Sequence, residues 1–317
     1  MFRELNLYDA QQALGWLRAQ QEIIEPEVYE TQYVATQYQD LVPINTGLDE
    51  WAQVVTYYSI DRVGQAEWFH HAAKDVPYAD VERDRYQTTI AMAAIGYEYD
   101  LEEINQARRV GVNITSEKAA SALEAYEQFM DSLALYGDVA KGFKGLINNS
   151  TVTAGTAPAD GAGGLTTFPS KTSGQVIRDF NTLVGGIYID SKTIEMADTV
   201  LMSLERFNYL ATTPRSDNND ETILEYVMRA NVLTVTTGRQ LRIRAVLGLE
   251  TAGVGNTQRM IAYRYDPKVL KLQLPMPHRF LPAANVPGSI IYKVPGLFRT
   301  GGTDILRPPA VRYLDGV

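Results

Sequence analysis

The sequence predicts a protein of the α+β class, and three patterns indicate it. One long stretch near the middle of the chain places apolar residues at helical spacing. The half that follows alternates short β-branched runs with helical ones, which is typical of helices packed on a mixed sheet. From Pro267 onward the chain carries eight of its fourteen prolines, which excludes long helices there. At 317 residues and 45% hydrophobic content, the chain can bury a sizeable core.

The N-terminal segment is predicted to be a helix followed by an extended arm. Apolar residues keep to one helical face between Asp9, a candidate N-cap, and Pro26. Residues 27–45 are rich in Tyr and Gln and too poor in aliphatic residues to form a core of their own. We therefore expect the rings of Tyr33 and Tyr38 to pack on a neighbouring protein surface.

A polar hairpin is predicted next. Residues 51–61 are β-branched and aromatic, as in a strand, and residues 81–92 form the second strand after a long turn. The charged residues between 61 and 85 cannot be buried against the same chain, and an isolated two-stranded hairpin is marginally stable in water. Contact with another molecule is therefore expected to stabilise the hairpin. The interface candidates in the arm and hairpin are Tyr33, Tyr38, Trp68, Asp80, Glu82, Arg83, Asp84 and Arg85.

The strongest helix prediction covers residues 116–136, after a short helix at 101–110. Gly137 provides a C-terminal stop, since glycine accepts the left-handed conformation that ends helices. Spacings of four, three, four and three residues place the apolar side chains in one stripe that should face the core. The stripe consists of Ala119, Leu123, Tyr126, Met130 and Leu133.

The second half of the chain is predicted to alternate helices and strands. A Gly/Ala/Thr-rich stretch at 153–170 is expected to be a loop and a domain boundary. The predicted elements are a helix at 173–189, a strand within 198–212, a helix at 219–230, and strands within 240–249 and 258–266.

No catalytic residue, metal site or cofactor is predicted. The chain has no cysteine, which excludes disulfides, thiol nucleophiles and Cys-ligated metals. The nucleophile elbow, the P-loop, paired metal histidines and the dinucleotide fingerprint are all absent. A net charge of −9 opposes broad phosphate binding. Without an export signal or a long apolar run, we expect a soluble intracellular protein with no membrane partner.

Three stretches carry a resemblance to a known family. They are TGLDEWAQVVTYYSIDRVGQAEWF with KDVPYADVERD, GYEYDLEEINQARR running into SALEAYEQFMDSLALYGDVAKGFKGLIN, and the closing LFRTGGTDILRPPAVRYLDG. In the order and spacing of its elements, the chain resembles the major capsid proteins of tailed bacteriophages with the Hong Kong 97-type fold, in a phage capsid family similar to the encapsulins. The resemblance covers nearly the whole chain.

The resemblance implies a division of the chain into regions. These are an N-terminal arm at 1–46, an extended loop, the E-loop, at 47–92, a peripheral domain with its spine helix at 93–149, an axial domain at 150–270, and returning peripheral strands at 271–317. It also implies a non-enzymatic subunit that assembles with copies of itself as pentamers and hexamers around double-stranded DNA. Scaffold, portal or decoration proteins are further partners in this picture, and the location is the virion, assembled in the host cytoplasm.

Two other functions stay open on the sequence. An encapsulin-like nanocompartment would hold an enzyme cargo, and residues 9–24 could contact it, although the long arm and hairpin favour the virus. A small-molecule enzyme with an unrecognised site is the second alternative, which a deep pocket with a shifted pKa would favour.

Overall fold

The computed structural model describes residues 35–64, 78–100, 102–103, 114–216, 218–285 and 291–317. The compact unit Thr36–Val317 contains every element named below. The expected N-terminal helix and most of the short helix at 101–110 lie outside the described residues. Within the described ranges the α-helices are α1 (Tyr38–Leu41), α2 (Ile114–Tyr136), α3 (Ser173–Asp190), α4 (Leu204–Thr212), α5 (Ile223–Arg229) and α6 (Val232–Thr237).

The strands of the described residues are short, apart from one long pair. They are β1 (Ile44–Asn45), β2 (Val54–Val63), β3 (Asp80–Thr89), β4 (Ala91–Ala94), β5 (Tyr97–Asp100), β6 (Gly137–Asp138), β7 (Phe143–Lys144), β8 (Thr153–Thr156), β9 (Thr199–Met202), β10 (Pro214–Ser216), β11 (Asn219–Thr222), β12 (Arg242–Ala245), β13 (Arg259–Tyr263), β14 (Leu270–Gln273), β15 (Met276–Phe280), β16 (Ala284–Asn285), β17 (Ile291–Val294), β18 (Gly296–Thr300), β19 (Gly302–Ile305) and β20 (Val311–Asp315).

A five-stranded sheet in the order β12-β9-β13-β20-β8 joins two hydrophobic cores. Side chains alternate across a strand, so neighbouring residues point to opposite faces. In β13, Met260 and Ala262 lie in one core, with α3, α4 and α5, whereas Ile261 and Tyr263 lie in the other, with α2. All residues of β9 and β13 are buried for this reason. The sheet is thus covered on both faces by the same chain.

Of the smaller sheets, the three-stranded ones and the β6-β7 pair lie around the α2 core, whereas the β10-β11 pair contacts α3, α4 and α5. Three-stranded sheets have the orders β1-β14-β19, β15-β18-β4 and β16-β17-β5, and β2-β3, β6-β7 and β10-β11 form two-stranded pairs. The short strands predicted after Pro267 are therefore present. Gly137 ends α2 with a φ of 72°, as expected of a left-handed stop.

The predicted apolar stripe of α2 is only partly right. Tyr126, Met130 and Leu133 are buried, but Leu123 is 47% exposed, and Ala122 is buried in its place. The predicted stripe repeats every 3.5 residues, whereas an α-helix repeats every 3.6, so the stripe drifts by about 20° per heptad around a straight helix. Leu123 consequently lies at the edge of the buried side of the helix, whereas Ala119 is half-buried.

This correction gives a matched pair of substitutions on one helix. Met130→Ala should lower the free energy of unfolding by about 2–5 kcal/mol, because Met130 is fully buried and its truncation leaves a cavity. Leu123→Ala should change it by no more than about 0.5 kcal/mol, as expected at an exposed position. Urea unfolding followed by circular dichroism measures both, and equal losses would contradict the burial of Met130 and the exposure of Leu123.

Two predicted boundaries in the second half are wrong because helix caps override the local pattern. The strand predicted within 198–212 stops at Met202, and α4 begins after Ser203, whose hydroxyl accepts a hydrogen bond from the backbone N–H of Arg206. The helix predicted from residue 219 begins only at Ile223, after the strand β11. There Thr222 and Glu225 form a capping box.

The Gly/Ala/Thr-rich stretch is more ordered than a loop. Its first residues form β8, which pairs in parallel with β20 at the edge of the central sheet. Two short 3-10 turns follow at Ala162–Gly164 and Phe168–Ser170. The buried Lys171 pairs with the buried Asp179 of α3 and so attaches the end of this stretch to the second core.

Candidate subunit interface

The long hairpin formed by β2 and β3 is largely exposed. Ten cross-strand pairs run from Val54 opposite Thr89 to Val63 opposite Asp80. At about 3.4 Å per residue the paired strands are about 30 Å long. Every side chain from Asp80 to Gln87 is exposed. The hairpin therefore leaves the body of the chain as a two-stranded ribbon, in agreement with the prediction that its charged residues cannot be buried against the same chain.

The base of the hairpin is fixed to the body at one point of β19. The Thr88 hydroxyl donates a hydrogen bond of 2.8 Å to Asp304, which also accepts one of 2.9 Å from the Gln273 side chain. Burial raises the pKa of the Asp304 carboxyl, and these two hydrogen bonds oppose the rise. The rings of Tyr57 and Tyr86 stack just beyond, with centroids 5.4 Å apart.

A cleft of about 750 Å³ lies between the hairpin base and the body. Tyr57 and Tyr86 line its hairpin side, and Lys144, Lys268 and Lys271 line the body side. Burial raises the pKa of the Tyr57 hydroxyl. The cleft combines aromatic rings with amines.

The distal half of the hairpin separates its charges by face. Alternate residues of a strand point to opposite sides, and directly paired residues share a side. The acidic face carries Asp61, Asp80, Glu82 and Asp84, and the basic face carries Arg62, Arg83 and Arg85. Among the residues that the structure describes, none of these seven side chains forms an ion pair, and Asp61 lies directly opposite Glu82. Like charges in that position destabilise an isolated hairpin.

The predicted interface residues are distributed unequally. Asp80, Glu82, Arg83, Asp84 and Arg85 are all exposed on β3. The predicted Trp68 and Tyr33 lie outside the described residues.

Tyr38 requires a correction, because it is not at the surface. Its side chain is 2% exposed, and its hydroxyl donates a hydrogen bond of 2.8 Å to Glu127 of α2. Its backbone N–H donates to Asp131 of the same helix, at 2.9 Å. Burial raises the pKa of the Tyr38 hydroxyl. The ring therefore packs within its own subunit, where the composition of the arm predicted contact with a neighbour.

The sequence interpretation missed the apolar residues that accompany the arginines. Tyr58, Ile60 and Val81 are 62%, 58% and 49% exposed, and each lies on the basic face. Counting alternate positions along both strands would have found them, since the face repeats every second residue.

The exposed side of α2 was missed as well. Glu117 and Glu124 are exposed on one side of the helix, and Leu123 is exposed about 100° further round it. The stripe predicted to be buried had assigned Leu123 to the core.

Within the described ranges, no group of three or more His, Asp or Glu side chains is placed to hold a metal ion. No helix among them combines the length and the apolar character that crossing a bilayer requires.

Comparison with known proteins relates this architecture to capsids. The family model described as major capsid protein matches residues 64–317. No curated protein matches the chain. Among solved structures, the capsid of Myoviridae phage XM1 is similar, with a TM-score of 0.78 and 18% identity over 94% of this chain and 98% of the other.

Two further solved structures extend the likeness. That of Microbacterium phage Oxtober96 has a TM-score of 0.63 and 12% identity, and covers 99% of each chain. The capsid of a native GTA particle has a TM-score of 0.62 and 9% identity over 92% of this chain and 95% of the other. Both likenesses extend over more than nine tenths of each chain.

Proposed function

The chain belongs to the major capsid protein family, and from this premise we propose that it is the repeating subunit of an icosahedral shell around the double-stranded DNA genome of a tailed phage. Its fold is the Hong Kong 97-type capsid fold, as predicted, in agreement with the solved phage capsids. The proposal includes pentamers and hexamers of the chain, assembly in the host cytoplasm and final location in the virion. It includes no catalytic role.

The observation that carries the proposal is the long hairpin with unpaired charge on both faces. A two-stranded ribbon of this length needs further contacts to be stable. Its base has a fixed anchor at Asp304, and its distal half presents seven charged side chains to solvent. A second copy of the chain supplies the missing surface in a closed shell. Many modest contacts of this kind, repeated over every copy, stabilise the assembly.

The proposal for DNA follows from charge. Tight DNA binding needs clustered Lys and Arg that displace counterions from phosphates, and this chain has 38 acidic residues against 29 basic ones. A shell of such subunits would enclose DNA without binding it by sequence. Scaffold, portal and decoration proteins remain proposed partners.

Assembly of the purified chain tests the proposed function. The chain, expressed alone and then with its genomic neighbours, should form closed particles tens of nanometres across, since shells of this fold are built from many copies. Light scattering and negative-stain microscopy of the same fraction measure this. Particles that contain DNA support the phage capsid, and particles that contain an enzyme identify a nanocompartment instead. A stable monomer under every condition would contradict assembly.

A further inference from the structure

The cleft at the base of the hairpin has a strongly positive lining. Lys144 of β7, Lys268 in the turn before β14 and Lys271 of β14 all line it, and Arg307 lies in the same wall. Among the described residues that line the cleft, Asp304 is the only acidic one. The chain as a whole carries a net charge of −9. The cleft therefore concentrates positive charge on an otherwise acidic subunit.

The three amines have no counter-charge within the subunit. Among the residues that the structure describes, none of them forms an ion pair. Asp304 lies opposite Lys271 in the β14-β19 pair, but its carboxyl already accepts two hydrogen bonds. Arg307, in contrast, is paired with the buried Glu195. Like charges that line one cleft repel each other and focus a field that attracts anions.

The backbone that carries these charges is held in place. The backbone N–H of Lys268 donates a hydrogen bond of 2.9 Å to the Asp266 carboxylate. The N–H groups of Leu306 and Arg307 both donate to the carbonyl of Val269, at 2.7 and 3.2 Å, and so attach the Arg307 segment to the Lys268 turn. A ligand would therefore find this wall already formed, which lowers the entropy cost of binding.

The hairpin side of the cleft offers hydroxyl groups and no carboxylate. Tyr57 and Tyr86 are direct cross-strand partners, and their rings stack at an angle of 15° between planes. Because burial raises the pKa of the Tyr57 hydroxyl above its ordinary value, the group stays protonated at neutral pH and can donate a hydrogen bond. Ser59 and Thr89 line the same wall. A ligand in the cleft would thus contact both the hairpin and the body.

The chemistry of the lining favours phosphate. Ammonium groups only donate hydrogen bonds, and lysine is a common phosphate ligand that acts as a point charge. Three unpaired amines exceed the charge of one carboxylate, whereas linked phosphates concentrate several negative charges in a small volume. The cleft volume of about 750 Å³ is within the range of about 300–1,000 Å³ that is usual for ligand pockets.

We propose that this cleft binds a polyvalent phosphate ligand, with Lys144, Lys268 and Lys271 around its oxygens and with the stacked tyrosines as the opposite wall. The phosphate backbone of DNA and small polyphosphates present the same chemistry. The bound ligand connects the hairpin to the body and limits its movement about Asp304. The site does not depend on the proposed function, because binding is a property of the chain itself.

Calorimetric titration of the full chain with inorganic tripolyphosphate tests the site. The unaltered chain should bind it saturably with a Kd below about 1 mM, the weak end of specific affinities. Lys268→Gln with Lys271→Gln should raise the Kd at least about tenfold, because two of the charges that face the ligand are removed. Added salt should weaken the binding of the unaltered chain. Circular dichroism establishes that each variant is folded.

Two control variants separate the cleft from general charge effects. Lys192→Gln with Lys293→Gln removes the same charge from exposed positions outside the cleft and should leave the Kd nearly unchanged. Lys268→Arg with Lys271→Arg keeps the charge and should retain binding. If the unaltered chain does not bind tripolyphosphate saturably, or if both glutamine variants lose binding equally, the site is overturned.

Competition identifies the source of the phosphate. A short DNA duplex that displaces tripolyphosphate from the unaltered chain supports the site and assigns it to the nucleic acid backbone. Failure of DNA to compete, with tripolyphosphate still bound, supports the site and assigns it to small polyphosphates. An oligo-glutamate peptide that binds more tightly than tripolyphosphate would instead identify a site for an acidic peptide and overturn the phosphate assignment.

Hydrogen exchange tests the connection between the hairpin and the body. Tripolyphosphate should slow amide exchange around Tyr57 and Tyr86, because the ligand restrains the base of the hairpin, while amides of α3 exchange as before. Binding without slower exchange in β2 and β3 would mean that the ligand contacts the body alone, and would overturn the bridging role. A chain that binds tripolyphosphate but forms no shell would contradict the proposed function and leave the site in place.

Discussion

Shortening the hairpin should leave a folded subunit that cannot close a shell. We would delete residues 59–84 and join Tyr58 to Arg85 through an Asn-Gly turn, which suits a two-residue hairpin connection. Tyr58 and Arg85 are cross-strand partners, so the remaining strands keep their register and the Thr88–Asp304 anchor. Of the removed residues, those that the structure describes, 59–64 and 78–84, belong to neither hydrophobic core. Circular dichroism and thermal unfolding should therefore be nearly unchanged, while light scattering detects no closed particles.

The matched control keeps the full hairpin and changes one charge, through Glu82→Gln. It should fold and assemble like the unaltered chain. Loss of folding in the shortened variant would show that the hairpin belongs to the core of its own subunit. Closed particles formed by the shortened variant would show that the distal hairpin is not needed for assembly.

Asp315→Asn should produce a large loss of stability. Asp315 and Arg259 form a buried bidentate pair, with Nε–Oδ1 and Nη2–Oδ2 distances of 2.6 and 2.8 Å. Arg259 also donates a hydrogen bond of 2.7 Å to the carbonyl of Ile147, beyond the end of α2. Asparagine leaves the guanidinium buried without its counter-charge, which costs about 3–5 kcal/mol of the free energy of unfolding. Urea unfolding followed by circular dichroism measures the loss.

An exposed pair provides the comparison for this prediction. Glu50 and Arg279 are joined at 3.0 Å, and both side chains are about half exposed. Glu50→Gln should change the free energy of unfolding by no more than about 1 kcal/mol, because solvent screens the pair. If Asp315→Asn and Glu50→Gln lowered the free energy of unfolding by similar amounts, burial would not explain the contribution of the Asp315–Arg259 pair to stability.

Local sequence patterns predicted the elements whose signal lies within one segment. The hairpin was predicted because its strands are β-branched and its charges exclude burial, and α2 was predicted because its stripe spans many turns. Ser203 and Thr222, which correct two boundaries, were visible as possible caps but competed with strand-like neighbours. These errors could have been avoided from the sequence.

Other features depend on contacts between distant segments. Tyr38 packs against α2, where Glu127, 89 residues away, accepts a hydrogen bond from its hydroxyl, and no local pattern contains that pair. The exposure of Leu123 depends on how α2 is turned against the sheet. Of the interface, the charged residues of β3 could be predicted as exposed, whereas the separation of charge by face required the register of the two strands.

The shared central sheet has a mechanical consequence. Because β9, β13 and β20 send alternate side chains into both cores, tilting one core against the other would shear the backbone ladder of the sheet. Close-packed interiors resist such deformation. In a shell that combines five-fold and six-fold rings, the angle between adjoining subunits must change from place to place. A subunit of this kind is expected to keep its own shape while that angle changes. The change of angle is therefore expected at the contacts between subunits, where the hairpin can rotate about its anchor at Asp304.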